Sequence, residues 1–90
     1  MKIHIVKRKR HEEHFDERKV YASCFAACIN AQMDKREAES CADKSSKEIK
    51  NWIKNKKEVT STQIFKEIIS ILKKYNKEAA FMYETHRDIN

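Results

Sequence analysis

Residues 6–20 have the sequence VKRKRHEEHFDERKV, and the predicted fold depends mainly on this stretch. β-Branched residues alternate with polar ones up to Val6, a pattern typical of a strand. The basic run that follows predicts a turn within residues 9–11 and a return strand after it. Asp16 is a favourable N-cap residue, so a helix is expected to begin immediately beyond it. The stretch therefore predicts a β-hairpin over residues 2–15 that leads directly into a helix.

A hairpin that enters a helix gathers charged side chains of both signs into one small volume. The candidates are Lys7, Arg8, Glu13, Asp16 and Lys19. Ammonium and guanidinium groups bind phosphates, whereas carboxylates accept hydrogen bonds from ribose hydroxyls or an adenine amino group. This combination indicates a nucleotide as the ligand.

The turn of the predicted hairpin lacks the residues that tight hairpin turns favour. It offers Lys, Arg and His, whereas two-residue turns prefer Gly, Asn or Asp. Two alternatives stay open: a longer, looser turn, and an opened hairpin that exchanges strands with a second chain.

Length and composition restrict the class of protein. The chain has 90 residues, of which 40% are hydrophobic and 38% charged, so we expect one domain over residues 1–90 with a modest core. The formal charge of +6 favours anionic partners such as nucleotide phosphates, nucleic acid or acidic protein surfaces. The sequence has no apolar run that would span a bilayer and no signal-peptide pattern, so we expect a soluble, cytoplasmic protein without a membrane partner.

Glycine and proline are both absent from the sequence. The Walker A loop, the Rossmann turn and the kinase glycine-rich loop all need glycine at fixed positions, so these phosphate-binding loops are excluded. Any phosphate must therefore be held by side chains and helix N-termini.

Three cysteines, an odd number, argue against a disulfide framework. Cys24, Cys28 and Cys41 lie in apolar helical surroundings, which favours small buried hydrophobic residues in a reducing compartment. The alternative is a zinc site completed by a histidine, although the sequence has no CxxC or HxxxH pair. The candidate histidines for that site are His11, His14 and His86.

Helical periodicity and capping residues predict the first two helices. The first is expected over residues 17–30. Asp34, with Glu37 three residues later, predicts a capping box for a second helix. That helix is expected to end in the lysine-rich residues 54–57, where the cations complement the helix dipole.

A second capping box, formed by Thr60 and Gln63, predicts the start of a third helix. A fourth helix is expected over residues 77–87, with Tyr83 directed inward. The predicted fold is α+β: an N-terminal β-hairpin followed by a bundle of four α-helices. The third helix carries the most hydrophobic stripe, Ile64, Ile68, Ile69, Leu72 and Tyr75.

Taken in order, these features resemble the ATP-cone, a regulatory nucleotide-binding domain of many ribonucleotide reductases and of the zinc-ribbon transcriptional repressor of their genes. The family pattern runs approximately Val-x-Lys-Arg-Asp-Gly-x-x-Glu-x-Phe-Asp-x-x-Lys-Ile, with Val-Thr-Ser before the third helix and Ala-x-x-Tyr-x-x-x-Arg at the end. The matching residues are Lys7-Arg8, Glu13, Phe15-Asp16, Lys19-Val20, Val59-Thr60-Ser61, Ala80, Tyr83 and Arg87.

The resemblance implies an ATP or dATP site between the hairpin and the helices, with an accompanying Mg²⁺ left open. Lys7, Arg8 and Lys19 would bind the phosphates, joined by Arg87 from the last helix. The resemblance also assigns three residues to the surroundings of the base and ribose, namely Glu13, Asp16 and Thr60.

The resemblance further implies a non-catalytic regulator that senses the nucleotide and alters subunit association without hydrolysing it. The partner it suggests is a ribonucleotide reductase or a related regulator, and the state it suggests is a homo-oligomer. With no zinc ribbon or reductase in the sequence, we expect a standalone cone or one excised from a larger chain.

The chain departs from the family pattern at the turn. Arg10 stands in place of the turn glycine, Lys9 in place of the preceding Asp, and His14 in place of a common Pro. A bulky cation at the turn distorts the phosphate end of the site while adding positive charge. We expect these changes to weaken binding more than they alter the fold.

Two other classes of function remain as alternatives. Residues 7–10 can form a nucleic-acid-binding patch or a solvated hairpin tip. The domain can also be a structural oligomerisation module whose site no longer binds nucleotide. Trp52 and Tyr83 are interpreted as core residues in preference to stacking platforms.

Overall fold

In a computed structural model, the chain is described over residues 4–6 and 12–85. This part is mostly helical, and the four predicted helices are confirmed. They are α1 (Glu17–Asn30), α2 (Lys35–Lys54), α3 (Ser61–Tyr75) and α4 (Lys77–Thr85). Three short strands accompany them: β1 (His4–Val6), β2 (Glu12–His14) and β3 (Glu58–Thr60).

The strands form one sheet in the order β2-β1-β3. β1 pairs antiparallel with β2, and Val6 lies opposite Glu12. β1 also pairs in parallel with β3, where Val6 lies beside Thr60. Residues 7–11, which connect β1 to β2, lie outside the described residues, so the hairpin as a unit stays a prediction. The third strand was not expected from the sequence.

Side-chain caps begin the first three helices where the sequence predicts them. The Asp16 carboxylate accepts a hydrogen bond from the Arg18 amide at 3.0 Å at the start of α1. The Asp34 carboxylate accepts from the Glu37 amide at 2.8 Å and completes a capping box for α2. A second capping box begins α3 at Thr60.

The turn between α1 and α2 ends a helix without a glycine. Gln32 adopts a left-handed backbone, with φ of 68°. The amide of Met33 then donates to the carbonyl of Cys28 at 3.1 Å, which satisfies a carbonyl at the end of α1. Glycine usually occupies this position, because a β-carbon makes the left-handed conformation unfavourable.

The hydrophobic core lies where the helices meet each other and β3. Val59, the central residue of β3, is 1% exposed and joins this core. The three cysteines are buried, as predicted. Tyr75, by contrast, is 39% exposed although it was predicted within the hydrophobic stripe of α3, because it lies in the last turn of the helix. The largest fully buried aliphatic side chains are Ile49, Ile53 and Leu72.

No helix in the described ranges is both long and apolar enough to cross a membrane.

Candidate functional site

The parallel pairing of β1 with β3 brings two distant parts of the predicted site motif to one end of the sheet. Val6, the last residue of β1, lies beside Thr60, the last residue of β3. Lys7 and Arg8 follow Val6 in the sequence but lie outside the described residues, as does Arg87. Glu13 lies in the middle of β2, opposite Ile5 of β1.

Thr60 is exposed and performs the capping role that the sequence predicts. Its hydroxyl accepts a hydrogen bond from the Gln63 amide at 3.1 Å, while its own amide donates to Gln63 Oε1 at 2.9 Å. The hydroxyl proton keeps its capacity to donate, since a hydroxyl has one donor and two acceptor positions. No acidic side chain lies in the first turn of α3, so its dipole favours an anion nearby.

Asp16 holds the start of α1 and stays ionised at neutral pH. The backbone N–H of Arg18 is the main reason that the pKa of the Asp16 carboxyl lies below its ordinary value, and the Arg18 guanidinium adds to it. Asp16 Oδ1 lies 3.5 Å from Arg18 Nε, and the Arg18 side chain is 93% exposed. This carboxylate already has a structural role, so any contact with a ribose or base would use its remaining lone pairs.

Lys19 is an exposed cation in the first turn of α1. It makes no ion pair within residues 15–85, whereas its neighbour Glu17 lies 3.3 Å from Lys50 of α2. The Glu17–Lys50 pair joins the start of α1 to α2. Lys19 is therefore the one predicted phosphate-binding cation whose side chain the structure describes, and it is available to a ligand.

The two described groups of site residues lie at opposite ends of the strands. Because β2 runs antiparallel to β1, α1 begins beyond His14, which is level with His4. Thr60 is level with Val6 at the other end. Three-residue strands span roughly 7 Å, so the two ends are separated by less than the length of an extended nucleoside triphosphate. The expectation of a single small volume thus becomes an elongated site along the sheet.

Phe65 and Tyr83 form an aromatic pair that was not predicted from the sequence. Phe65 of α3 stacks against Tyr83 of α4, with ring centroids 5.5 Å apart and an interplanar angle of 28°. Both rings are half-buried and pack against the core. The pair joins the start of α3 to the end of α4. Tyr83 was identified as part of the closing motif, but its contact with Phe65 depends on how the two helices pack.

Two further predictions concern the role of Trp52 and the alternative zinc site. Trp52 packs half-buried against the core, and the Lys56 ammonium lies 4.5 Å from the centroid of its ring. Within the part of the chain that the structure describes, no three His, Cys, Asp or Glu side chains are grouped to hold a metal ion. The histidine side chains of the zinc alternative lie outside that part.

Comparison with known proteins agrees with the motif. A family model described as the ATP cone domain matches residues 3–89, nearly the whole chain. No curated protein and no solved structure matches the sequence. ATP-cone domains are regulatory, non-catalytic modules that bind the adenine nucleotides ATP and dATP. On this match, the chain belongs to the ATP-cone domain family.

Proposed function

We propose that this chain is an adenine-nucleotide sensor that binds ATP or dATP along the three-stranded sheet, between the starts of α1 and α3. The phosphates extend along the strands, so that Lys7 and Arg8 hold them from the Thr60 end and Lys19 holds them from the Asp16 end; Arg87 joins these cations. The ribose and base lie near Glu13, Asp16 and Thr60. In this arrangement the predicted hairpin covers the nucleotide and supplies the first two cations.

The observation that carries this proposal is the parallel pairing of β1 with β3. The Lys7-Arg8 motif begins one residue after Val6, and the Val59-Thr60-Ser61 motif ends β3 and begins α3. Because Val6 pairs with Thr60, the starting points of both family motifs are neighbours despite their separation in sequence. A nucleotide site explains why both motifs occur in one chain.

Charge also supports an anionic ligand. The chain carries a formal charge of +6, and Lys19 is exposed without an ion pair inside the described segment. The dipole of α3 adds a partial positive charge near Thr60, where no acidic side chain of the first turn opposes it. Charge-assisted hydrogen bonds to phosphate do not need a glycine-rich loop.

Regulation, rather than chemistry, is the role that this site supports. Nucleotide binding along the sheet would tie β1, β3 and the first turns of α1 and α3 to one ligand. A change between ATP and dATP would then alter the surface that these elements present, and with it association with a second copy or with a ribonucleotide reductase. Whether Mg²⁺ accompanies the phosphates does not change this assignment of residues.

Isothermal titration calorimetry at moderate salt tests the proposal. ATP and dATP should bind saturably and more tightly than GTP. Lys7→Ala and Lys19→Ala should each weaken binding by about 1–3 kcal/mol, the worth of a charge-assisted contact, which is roughly 5- to 150-fold in Kd. Lys73→Ala is the matched control, because it removes the same charge from the last turn of α3, far from Thr60.

Three results would overturn the assignment. Equal loss of affinity in the Lys73 control would show a general charge effect. Unchanged affinity in both the Lys7 and Lys19 variants would remove the phosphate contacts. Binding to single-stranded DNA alone, with affinity that falls steeply as salt rises, would favour the nucleic-acid alternative.

A further inference from the structure

An open cleft of about 320 Å³ lies between the start of α2 and the end of α3. Its walls combine apolar surface, from Met33 and Tyr75, with two cations, Arg36 and Lys44. A cleft of this size is large enough to receive a small ligand or an aromatic side chain. The proposed nucleotide site uses none of these residues, so the cleft needs a separate explanation.

Positive charge predominates in this cleft. Arg36 and Lys44 are both exposed, and neither makes an ion pair within residues 15–85. The Glu37 carboxylate also lines the cleft, but it accepts a hydrogen bond from the Asp34 amide at 3.4 Å. Because Arg36 and Lys44 are eight residues apart on α2, they lie about 12 Å apart along the helix axis. The cleft therefore favours a partner with negative charge at two points.

Tyr75 forms an aromatic wall of the cleft and is held in place although it is 39% exposed. Its hydroxyl donates a hydrogen bond to the Glu48 carboxylate of α2, which also accepts one from Lys74 at 2.6 Å. On the other side, Lys44 Nζ lies 6.0 Å from the centroid of the Tyr75 ring. Since Lys74 offsets the charge of Glu48, that carboxylate does not oppose an acidic partner. The ring is thus positioned for an aromatic contact.

The exposed face of α4 carries the matching pattern. Phe81 is 59% exposed, more than any other large hydrophobic side chain in the described ranges. Glu78 and Glu84 are exposed three residues before and after it, and residues three apart are neighbours on a helix surface. Neither glutamate forms an ion pair among the side chains that the structure describes. The two lie about 9 Å apart along the helix axis, close to the separation of the cleft cations.

We propose that α4 of a second copy of this chain docks in the cleft, with its Phe81 against the Tyr75 ring. The glutamates on either side of Phe81 then pair with the two cations of the cleft. The occupant is identified by its complementary charge, since an aromatic ring between two acids meets an aromatic wall between two cations. The inference is independent of nucleotide binding, because neither surface belongs to the proposed nucleotide site.

The two surfaces lie close enough on one chain to form a closed dimer. Tyr75 and Phe81 are separated by Asn76 and the first turn of α4, so their Cα atoms are at most about 14 Å apart. Two copies related by a twofold axis can therefore place both α4 contacts in one continuous interface. Such an interface is small for a stable complex, so the dimer should depend on protein concentration.

Sedimentation velocity of the full chain, without nucleotide and over a series of protein concentrations, tests the association. The weight-average sedimentation coefficient should rise with concentration towards that of a dimer. Phe81→Ala should raise the Kd of the dimer at least roughly tenfold. Ile29→Ala is the matched control, because it removes another exposed hydrophobic side chain, on α1, and should leave this Kd unchanged. A monomer at every concentration, or an equal loss in the control, would overturn the proposal.

Charge reversal identifies the two surfaces. The double variant Glu78→Lys/Glu84→Lys and the double variant Arg36→Glu/Lys44→Glu should each lose self-association, because like charges then face each other. An equimolar mixture of the two should associate again, since each cleft then meets an α4 of opposite charge. Self-association that survives either reversal, or a mixture that stays monomeric, would contradict the assignment.

Net charge cannot produce this pattern. Both double variants remain cationic, because each changes the formal charge of +6 by four. Glu58→Lys/Glu67→Lys makes the same change of charge on β3 and α3 as the α4 variant does, and it should self-associate like the wild type. Loss of association in this control as well would overturn the proposal. Circular dichroism confirms that each variant is folded, and the Phe81→Ala comparison decides should a double variant not fold.

Discussion

Replacing Thr60 by alanine tests the element that joins the fold to the nucleotide site. Thr60 ends β3 and caps α3 through two reciprocal hydrogen bonds with Gln63, of 3.1 Å and 2.9 Å. Alanine cannot accept a hydrogen bond from the Gln63 amide, although the hydrogen bond from the backbone amide of residue 60 to Gln63 Oε1 can persist. The first turn of α3 would therefore lose one of its two capping contacts.

The magnitude follows from the exposed position of the cap. Loss of a Ser, Thr, Asn or Asp N-cap side chain costs typically about 1 kcal/mol. In a chain of this length, that free energy lowers Tm by roughly 4–8 °C. With a urea m-value of about 1 kcal/mol/M, it also lowers the urea midpoint by roughly 1 M. Thr60→Ser keeps the hydroxyl and should stay close to the wild type.

Urea unfolding followed by tryptophan fluorescence provides the assay. Trp52 is the only tryptophan of the sequence and is half-buried against the core, so its emission reports loss of packing. The same three proteins should be titrated with ATP by calorimetry. If Thr60 contacts the nucleotide as well, Thr60→Ala loses affinity under conditions where it is fully folded, and Thr60→Ser retains it.

Two outcomes would refute this reasoning. An unfolding midpoint that is the same for Thr60→Ala and the wild type would mean that the capping box does not stabilise α3. An equal loss in Thr60→Ser would mean that the threonine methyl group, rather than the hydroxyl, carries the effect.

The other predictions also rest on local structure. Ser45 Oγ is buried without a hydrogen-bond partner among the described residues, whereas the hydroxyl of buried Ser46 donates to a backbone carbonyl at 3.0 Å. Ser45→Ala should therefore be more stable than Ser46→Ala by about 1 kcal/mol in urea unfolding. Equal unfolding midpoints for the two variants would contradict this. Gln32→Gly should raise the free energy of unfolding by up to about 1 kcal/mol, because Gln32 has a left-handed φ of 68°. Ala31→Gly is the control and should lower the free energy of unfolding, because Ala31 has φ of −85°. The opposite order of stability would show that Gln32 is not left-handed in solution. Asp16 accepts a hydrogen bond from a backbone N–H, which lowers its pKa below the ordinary value of 3.8. Its stabilising effect should therefore be present above pH 3.8 and be lost as the pH falls through the lower folded-state pKa. Asp16→Asn should remove that acid-dependent part of the Tm profile, and identical profiles for the two proteins would exclude it.

The helices could be predicted from the sequence because their signals are local. At the start of each of the first three helices, a side chain accepts a hydrogen bond from an amide two or three residues later. These side chains belong to Asp16, Asp34 and Thr60, so the first residue of each helix can be predicted from a few neighbouring residues. The end of α1 at Asn30 was also predicted. Its left-handed Gln32 was not, since nothing in the sequence marks a glutamine as a substitute for glycine.

The third strand could not be predicted, because its evidence is not local. Three residues, Glu58–Thr60, give too short a pattern to distinguish a strand from an extended cap. Their extended conformation is held by parallel pairing with β1, which depends on how the whole chain folds. The burial of Val59, at 1% exposure, also distinguishes this segment from a surface loop.

The nucleotide-binding roles of the candidate residues stay predictions, whereas the local structure around three of them can be compared with the sequence. Lys19 is exposed and free of ion pairs among the side chains described, as a phosphate contact requires, and Thr60 and Asp16 have the capping roles that were expected. Their positions at opposite ends of the strands follow from the antiparallel course of β2. The stacking of Phe65 on Tyr83 likewise needed the packing of α3 against α4.

A titration of the ¹⁵N-labelled chain with ATP, followed through its backbone amide resonances, tests the nucleotide site most directly. We predict saturable shifts centred on residues 6–8, 16–19 and 60–63, with no comparable response to GTP at the same concentration. The amide resonances of residues 33–44, which lie along the cleft between the start of α2 and the end of α3, should remain unchanged. Chemical-shift changes confined to that cleft would contradict an adenine-nucleotide site on the sheet. A spectrum that does not change on addition of ATP or dATP would contradict it as well.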